Sequence, residues 1–315
     1  MITYQKLFNN PGKLLRFTGL NPFQFETLAK RLEPLWIKSE IKRLTRDSRI
    51  RAIGGGRRYS LPSIEDKLLL LLVFYRTYVA YEFLSWVFNI DASNICRLIK
   101  RLIPLLEKAA DPTLCFAIKD ILKKRRKIRT WEEFIKTYPD LVELVIDSTE
   151  QKRQRPSNRK KQKNFYSGKK HQHGLKTQIT VDRRGKIIDI SHSYPARIHD
   201  KTILIKEHTL DKLPTNIQKY LDKGYVKIQK LYPDHTVFIP TKRTRWKRTL
   251  TRSEKIKNTK ISKKRIIVEH VFSRMKKYQI LLQIYRSKDS DYNHHFRNIA
   301  SLCNFRLLFK DFDSS

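Results

Sequence analysis

The sequence predicts a mixed α/β domain that follows an all-α region. Up to about residue 110, apolar side chains recur with the 3.6-residue period of amphipathic helices. From about residue 140 the pattern changes to short apolar runs bounded by turn residues, with helical stretches between them. Because strands and helices alternate in this second part, we expect a mixed sheet there.

The N-terminal region, residues 1–60, is predicted to be helical and basic, with 13 lysines and arginines against 4 acids. Asn21 and Pro22 are suited to the N-cap and the first position of a helix. Three glycines at 54–56 predict a flexible joint before the next region.

Residues 61–110 have the pattern of a helix-turn-helix. A helix is predicted over Tyr81–Phe88, and after a short turn Ser93 is suited to cap a second helix that ends near Ala109. One side of the second helix is apolar, and the other side carries Asn94, Arg97, Lys100 and Arg101. Because the chain is strongly basic, we favour DNA binding by the second helix. The alternative is an amphipathic hairpin with a solvated charged face.

Residues 111–137 are predicted to be a linker segment, and residues 138–310 to be the α/β domain. The apolar run at 141–147 predicts a strand, and two further strands flank a turn at 183–185. A basic insertion at about 241–262 precedes a last helix. The predicted core face of that helix consists of Val268, Val271, Met275, Tyr278 and Leu282.

The net charge of +38 predicts a polyanionic partner, and nucleic acid is favoured through the release of its counterions. An anionic membrane surface is less favoured, because the basic residues are spread along the whole chain. The longest apolar run is too short to cross a bilayer, and no signal peptide is recognisable. Isolated cysteines predict a reducing compartment. We therefore expect a cytoplasmic, DNA-binding protein without membrane contact, associated with the nucleoid in a bacterial host.

Three acids have the context of catalytic carboxylates. Asp147 ends a predicted strand, Asp222 follows another apolar run, and Glu269 lies among apolar residues of the last helix. Carboxylates from two strand ends and a helix can converge on hard divalent cations, which serve phosphodiester chemistry. For each acid taken singly, the alternative is an ion pair with a nearby lysine or arginine.

A series of motifs around these acids resembles a known family. They are VIDSTE (145–150), YSGKKHQHGLKTQI (166–179), HD (199–200), DKGY (222–225) and KKRIIVEHVFSRMK (263–276), preceded by FYRTYVAYEFLSWVFNIDASNICRLIKRL. In order and spacing they resemble the insertion-sequence transposases of the DDE class, in the branch related to the PIF/Harbinger transposases. The resemblance covers roughly residues 61–310.

The resemblance implies an RNase H-like catalytic fold and two Mg²⁺ ions, for which Mn²⁺ can substitute. It implies that Asp147, Asp222 and Glu269 form the catalytic, metal-binding triad. Similar transposases carry a Tyr-Arg-Glu-Lys signature around the glutamate. Here Arg265 and Lys276 fit as auxiliary residues, while Ser262 stands at the tyrosine position.

Asp200 is a further auxiliary candidate. Relatives often have a glycine before the His-Asp pair, and this chain has YPARIHD instead. Asp200 is expected either to support the metal ligands from behind or to cap the helix that follows it, and capping is slightly favoured.

The segment after Asp147 is expected to hold the DNA backbone. Residues 151–172 contain nine lysines and arginines, including Lys169 and Lys170, and no acid. Phe165 and Tyr166 are interleaved with them, as in protein surfaces that bind a nucleic-acid strand. Trp246 is a candidate for stacking on a base near the cut, and anchoring of a loop is the equal alternative.

The expected function is DNA transposition. Water would hydrolyse the DNA at the terminal inverted repeats of a transposon, and the freed 3′-OH would then attack target DNA. A homo-oligomer is expected when the two ends are synapsed. The alternatives are a non-catalytic DNA-binding protein derived from a transposase, and an RNase H-like nuclease without strand transfer.

Overall fold

The computed structural model describes residues 2–45, 59–111, 114, 130–243, 245 and 248–309, which fall into two compact units. The helical unit comprises residues 1–112, 276–283 and 294–315, and the sheet unit comprises residues 113–275 and 284–293. The glycine-rich joint predicted at 54–56 lies outside the described residues. Within the described ranges, no helix combines the length and the hydropathy that crossing a bilayer requires.

The helical unit is organised around a helix that is buried along most of its length. Its helices are α1 (Tyr4–Phe8), α2 (Pro11–Thr18), α3 (Pro22–Leu44), α4 (Ile64–Thr77), α5 (Tyr81–Phe88), α6 (Ala92–Ala110) and the part of α12 (Asp289–Leu307) from His294 onward. Every residue of α4 from Lys67 to Tyr75 is buried. The Asn298 side chain donates a hydrogen bond to the Tyr75 hydroxyl at 2.9 Å, which fixes α12 against α4.

Two helix starts in this unit test the capping expectations. Asn21 caps α3 as predicted, because its side chain accepts a hydrogen bond from the Gln24 backbone N–H at 2.8 Å. The cap predicted at Ser93 is wrong. Asp91 caps α6 instead, and its carboxylate accepts a hydrogen bond from the Ser93 backbone N–H at 2.8 Å. Asp91 stands two residues before Ser93, and its carboxylate accepts a hydrogen bond from one of the free N–H groups of the first turn. The helix therefore begins at Ala92.

The sheet unit is built around one central strand. Its strands are β1 (Glu143–Lys152), β2 (Tyr166–Ser167), β3 (Gln172–Asp182), β4 (Ile187–Pro195), β5 (Gln218–Leu221) and β6 (Val237–Phe238). On one side, β1 pairs antiparallel with β3, and β3 pairs antiparallel with β4. On the other side, β1 pairs parallel with β5, and β5 pairs parallel with β6. This mixed sheet, preceded by helices, confirms the predicted fold class of an all-α region followed by an RNase H-like α/β domain.

The helices of the sheet unit are α7 (Trp131–Thr137), α8 (Arg159–Phe165), α9 (Asp200–Lys206), α10 (Ile228–Leu231) and α11 (Arg252–Lys276). The last residue of α11, Lys276, is counted in the helical unit. Helix α7 lies in the segment predicted as a linker. Its Phe134 is buried together with Leu141 and Leu144, so residues from 130 onward contribute to the core of the sheet unit.

Helix α11 packs on the sheet through its predicted face, which is shorter than expected. Val268, Val271 and Met275 are buried. The helix ends at Lys276, and Tyr278 is buried beyond that end. The core position predicted for Leu282 is wrong, since this side chain is 55% exposed. The helical period stops at residue 276, so it no longer governs which of the later side chains are buried.

The turn between β3 and β4 contacts α11 at a glycine. Gly185 has a φ of +77°, and its carbonyl accepts a hydrogen bond from the Arg274 guanidinium at 2.9 Å. A β-carbon on Gly185 would lie 2.8 Å from Arg274 Nη2 and 3.4 Å from atoms of Ile267 and Val271. The hairpin turn therefore requires a residue without a side chain in order to support α11.

We expect Gly185→Ala to destabilise the protein by about 1–2 kcal/mol, because alanine is strained at positive φ. The measurement is chemical denaturation monitored by circular dichroism. Gly168→Ala is the matched control, since a β-carbon there meets nothing within 4 Å. Equal stability of the two variants would show that the turn tolerates a side chain.

Candidate active site

Two of the predicted acids lie side by side because of the parallel pairing of β1 and β5. Ile146 and Leu221 are partners in the register of these strands. Asp147 and Asp222 each follow one of these partners directly, so both carboxylates lie at the same edge of the sheet. The apolar residues directly before them, Ile146 and Leu221, are buried in the core, so Asp147 in the middle of β1 lies beside Asp222 at the end of β5. The prediction that Asp147 ends its strand is wrong, because β1 continues to Lys152 through its antiparallel pairing with β3.

Both carboxylates contact the same guanidinium group. Arg265, on α11, donates a hydrogen bond from Nη2 to Asp147 Oδ2 at 2.8 Å and from Nη1 to Asp222 Oδ1 at 3.0 Å. The side chains are 11% exposed for Arg265, 18% for Asp147 and 42% for Asp222. One cation therefore balances a largely buried acid and a more exposed one.

Burial makes the charged form of Asp147 less favourable than it would be in water. Burial raises the pKa of Asp147 to about 6, against the opposing effect of the Arg265 guanidinium and of a hydrogen bond from the Ser148 backbone N–H. A buried carboxylate with a raised pKa gains from a nearby cation, because the cation replaces the lost hydration of its charge. The site is thus suited to binding positive charge.

The structure does not bring the third predicted acid into the same cluster. Glu269 lies one helical turn after Arg265 on α11 and is exposed. Within the described residues, no three His, Cys, Asp or Glu side chains are grouped so that they could hold a metal ion. Lys276, the other auxiliary candidate on this helix, is its last residue.

The donor chemistry of the two clustered acids fits a hard divalent cation. Their oxygens converge on one cationic group, and carboxylate oxygens are the ligands that Mg²⁺ prefers. Among the described residues, those that would hold a metal here are therefore Asp147 and Asp222. Glu269, the third predicted ligand, is carried by the same helix as Arg265 but is not part of this cluster.

Asp200 is held by a lysine and does not cap a helix. It is the first residue of α9, where His199 occupies the cap position without a side-chain cap bond. Its Oδ1 lies 3.1 Å from Lys176 Nζ. The capping role favoured from the sequence is therefore wrong. A β-carbon on Gly224 would lie 3.0 Å from Asp200 Oδ2, which places Asp200 against the turn that follows Asp222.

Lys176 links Asp200 to a second acid that the sequence did not single out. Its Nζ lies 3.3 Å from Glu150 Oε1 and donates a hydrogen bond to the Ile198 carbonyl at 2.9 Å. The Ser167 hydroxyl donates to Glu150 Oε2 at 3.0 Å. The available signal for this cluster was Lys176 itself, which lies among the buried residues of β3. A buried lysine requires carboxylate or carbonyl partners.

A cleft of about 1110 Å³ opens beside Asp222. Its lining includes Glu150, Asp200 and Asp222, together with Tyr166, His173 and His199 and the cations Arg155, Lys163, Lys169, Arg197, Lys223 and Lys242. Of the predicted DNA-binding residues, Lys169 lines this cleft, and Lys170 is exposed with its Nζ 3.8 Å from Glu150. Trp246 lies outside the described residues.

In the helical unit, three of the four predicted base-reading residues are exposed on α6. Asn94, Arg97 and Lys100 are exposed, and Arg97 donates a hydrogen bond to the Asn94 side chain at 3.0 Å. Arg101 differs, because its guanidinium lies 3.8 Å from the carboxylate of Glu40 on α3. Glu40 was not predicted, since nothing in the spacing of the sequence pairs α3 with α6.

Comparisons with known proteins identify the family of the chain. A family model described as "DDE superfamily endonuclease" matches residues 146–304, and one described as "Helix-turn-helix of DDE superfamily endonuclease" matches residues 59–112. A protein of Microchaete diplosiphon, described as a transposase for insertion sequence element IS702, is 30% identical over 262 residues, which cover 81% of this chain and 84% of the relative.

A protein of Streptomyces albus G, described as a transposase for insertion sequence element IS112, is 25% identical over 299 residues, which cover 95% of this chain and 96% of the relative. No solved structure matches the chain.

The cluster of Lys176 with Glu150 and Asp200 should contribute to stability. We expect Lys176→Met, which keeps the length of the side chain, to destabilise the protein by about 3 kcal/mol, because two acids lose the cation between them. Chemical denaturation measures the loss. Lys170→Met is the matched control, because the exposed Lys170 is expected to contribute less than about 1 kcal/mol. Similar losses for both variants would contradict a structural role of Lys176.

Proposed function

This chain belongs to the DDE superfamily of endonucleases, and we propose that it is a transposase that cuts DNA at the ends of a mobile element and joins them to target DNA. The observation that carries the proposal is the convergence of Asp147 and Asp222 on one cationic position. The predicted DDE-class resemblance and the helix-turn-helix are confirmed by the family matches. The branch related to PIF/Harbinger transposases stays a prediction.

The proposed metal ligands are Asp147, Asp222 and Glu269, which would hold two Mg²⁺ ions, with Mn²⁺ as a substitute. When bound, such ions stabilise the attacking and the leaving oxygen of a phosphodiester during in-line displacement. The chain itself fixes the ligands. Strand pairing aligns Asp147 with Asp222, and the contact of Asp200 with Gly224 supports the turn after Asp222.

The cleft beside Asp222 is proposed to hold the DNA strand that is cut. Apart from Lys176, which contacts two acids, the lysines and arginines of the cleft are suited to phosphate oxygens, and Tyr166, 41% exposed, offers a ring on which a base can stack. Lys276 is proposed to hold a phosphate near the scissile bond. Cations placed before the reaction stabilise the charge that develops on the phosphate without having to reorganise.

Recognition of the transposon ends is proposed for α6, which begins the second half of the helix-turn-helix. Its exposed Asn94, Arg97 and Lys100 face solvent from one helix, as base-reading residues of this motif do. Joining two ends to one target needs more than one active site close together. We therefore propose that a homo-oligomer forms when the terminal inverted repeats are synapsed.

The names of the two relatives support strand transfer in addition to cleavage. The test is incubation of the protein with a duplex of the transposon end, a supercoiled plasmid target and Mg²⁺. Joined products are expected. Cleavage without joining would indicate an RNase H-like nuclease, and binding without cleavage would indicate a non-catalytic DNA-binding protein.

Substitution of the proposed ligands should abolish cleavage and leave DNA binding intact. We expect this of Asp147→Asn, Asp222→Asn and Glu269→Gln, and pairs of these changes should lose no more than single ones because the residues act as a unit. Single-turnover cleavage and gel-shift assays measure the two properties. Asp234→Asn, at an exposed acid of the same unit, is the control. Normal Mg²⁺-dependent cleavage by any of the three variants would remove that residue from the site.

Loss of an exposed arginine of α6 should reduce specificity. We expect Arg97→Ala to weaken binding to transposon ends by about 1–3 kcal/mol and to affect random DNA less. Lys108→Ala removes the same charge from the last turn of α6 and is the control. Competition binding with end and random duplexes measures both. If Arg97→Ala discriminates as well as the parent protein does, another segment reads the ends.

A further inference from the structure

Arg265 occupies the position at which the two clustered carboxylates converge. Its two terminal nitrogens each contact one acid, at 2.8 and 3.0 Å, and its side chain is 11% exposed. Among the residues that the structure describes, the buried Nε of Arg265 has no hydrogen-bond partner. The guanidinium therefore neutralises Asp147 and Asp222 while one of its own donors stays unsatisfied.

We propose that Arg265 holds the metal position in the DNA-free protein, and that its guanidinium must leave the two acids before a divalent cation can bind them. The released guanidinium then binds a phosphate of the incoming DNA. The inference rests on the proposed function in one respect, the assignment of Asp147 and Asp222 as metal ligands.

The two occupants exclude each other on physical grounds. A guanidinium is always charged and offers only N–H donors, so it cannot join a metal as a ligand. A divalent cation held by these carboxylates would be repelled by a second cation at hydrogen-bond distance from the same oxygens. Binding at this position is therefore an exchange of one cation for another.

Departure of Arg265 requires only a movement of its side chain. Arg265 lies on α11, whose neighbouring turns are fixed by the Lys264–Glu143 ion pair at 2.7 Å and by buried Val268. A phosphate accepts paired N–H donors from a guanidinium as a carboxylate does, and it can also use the donor that is unsatisfied now. Lys223 and Lys242 of the adjacent cleft would attract the DNA backbone that supplies this phosphate.

The exchange couples the two ligands of the protein. DNA removes the guanidinium from the acids and thereby favours the metal, and the metal releases the guanidinium and thereby favours DNA. By linkage, each ligand raises the affinity for the other by the same factor. Metal would then be held weakly until DNA is in place, which limits cleavage to the bound substrate.

The test is the affinity for Mn²⁺ without DNA, measured by the loss of free-ion signal in electron paramagnetic resonance. We expect Arg265→Gln to bind Mn²⁺ about tenfold more tightly than the parent protein, within the range usual for coupled sites. Lys264→Gln is the matched control, because it removes the neighbouring cation of α11, which pairs with Glu143 alone among the contacts that the described residues show. Its affinity for Mn²⁺ should not change.

Two further variants make the result decisive. Arg265→Lys keeps the charge but cannot contact both acids as a planar fork does, so an intermediate affinity is expected. Asp147→Asn combined with Arg265→Gln should abolish the tight Mn²⁺ site. Thermal unfolding with and without Mn²⁺ checks folding, and Mn²⁺ should raise the melting temperature of Arg265→Gln more than that of the parent.

The outcomes separate this inference from the proposed function. Equal Mn²⁺ affinity of the parent protein and Arg265→Gln, both lost with Asp147→Asn, would overturn the exchange and keep the metal site. Equal gains for Arg265→Gln and Lys264→Gln would reduce the effect to net charge and also overturn it. Absence of Mn²⁺ binding that depends on Asp147 in every variant would overturn the metal site itself.

Discussion

The parallel pairing of β1 with β5 is the constraint on which the site depends. It places Asp147 and Asp222 directly after a pair of partnered residues, where the hydrogen bonds of the sheet fix their separation. Two acids at a largely buried position repel each other and lose hydration, so this arrangement requires a cation between them. Arg265 supplies that cation in the structure.

The position of α11 follows from contacts at several points along its length. Lys264 pairs with Glu143 at the start of β1, Val268 and Val271 are buried, and Arg274 binds the carbonyl of Gly185 in the β3–β4 turn. The helix is thereby attached both to the central strand and to the hairpin beside it. A helix fixed in this way can present Arg265 to the acids without depending on flexible loops.

How much of this arrangement can be predicted depends on whether the determinants are local. Asp147 and Asp222 were recognisable as candidates, because an acid directly after an apolar run is a local pattern of the sequence. Their shared contact with Arg265 was not, since Arg265 lies 118 positions from Asp147 and 43 positions from Asp222 along the chain.

The same limit explains the other differences. Which residue caps α6 depends on the geometry of the preceding turn. The sequence pattern favoured Ser93, and Asp91 caps the helix instead. The contact of Arg101 with Glu40 depends on how α3 packs on α6, which spacing does not encode. The Lys176 cluster joins β1, β3 and α9, so only the folded sheet reveals that Asp200 supports a turn and does not cap a helix.

Arg265 and Glu269 are four residues apart, so they lie on the same face of α11, one turn from each other. A single rigid helix therefore carries both a cation that can satisfy the two strand acids and a third acid that can join them. With the guanidinium in place the site is neutralised by the protein, and Glu269 remains exposed. In the proposed exchange, Glu269 would join Asp147 and Asp222 after the guanidinium has left them. The two proposed states would then differ by side-chain rotation on a fixed backbone, which is a smaller change than rebuilding the sheet or the helix for catalysis.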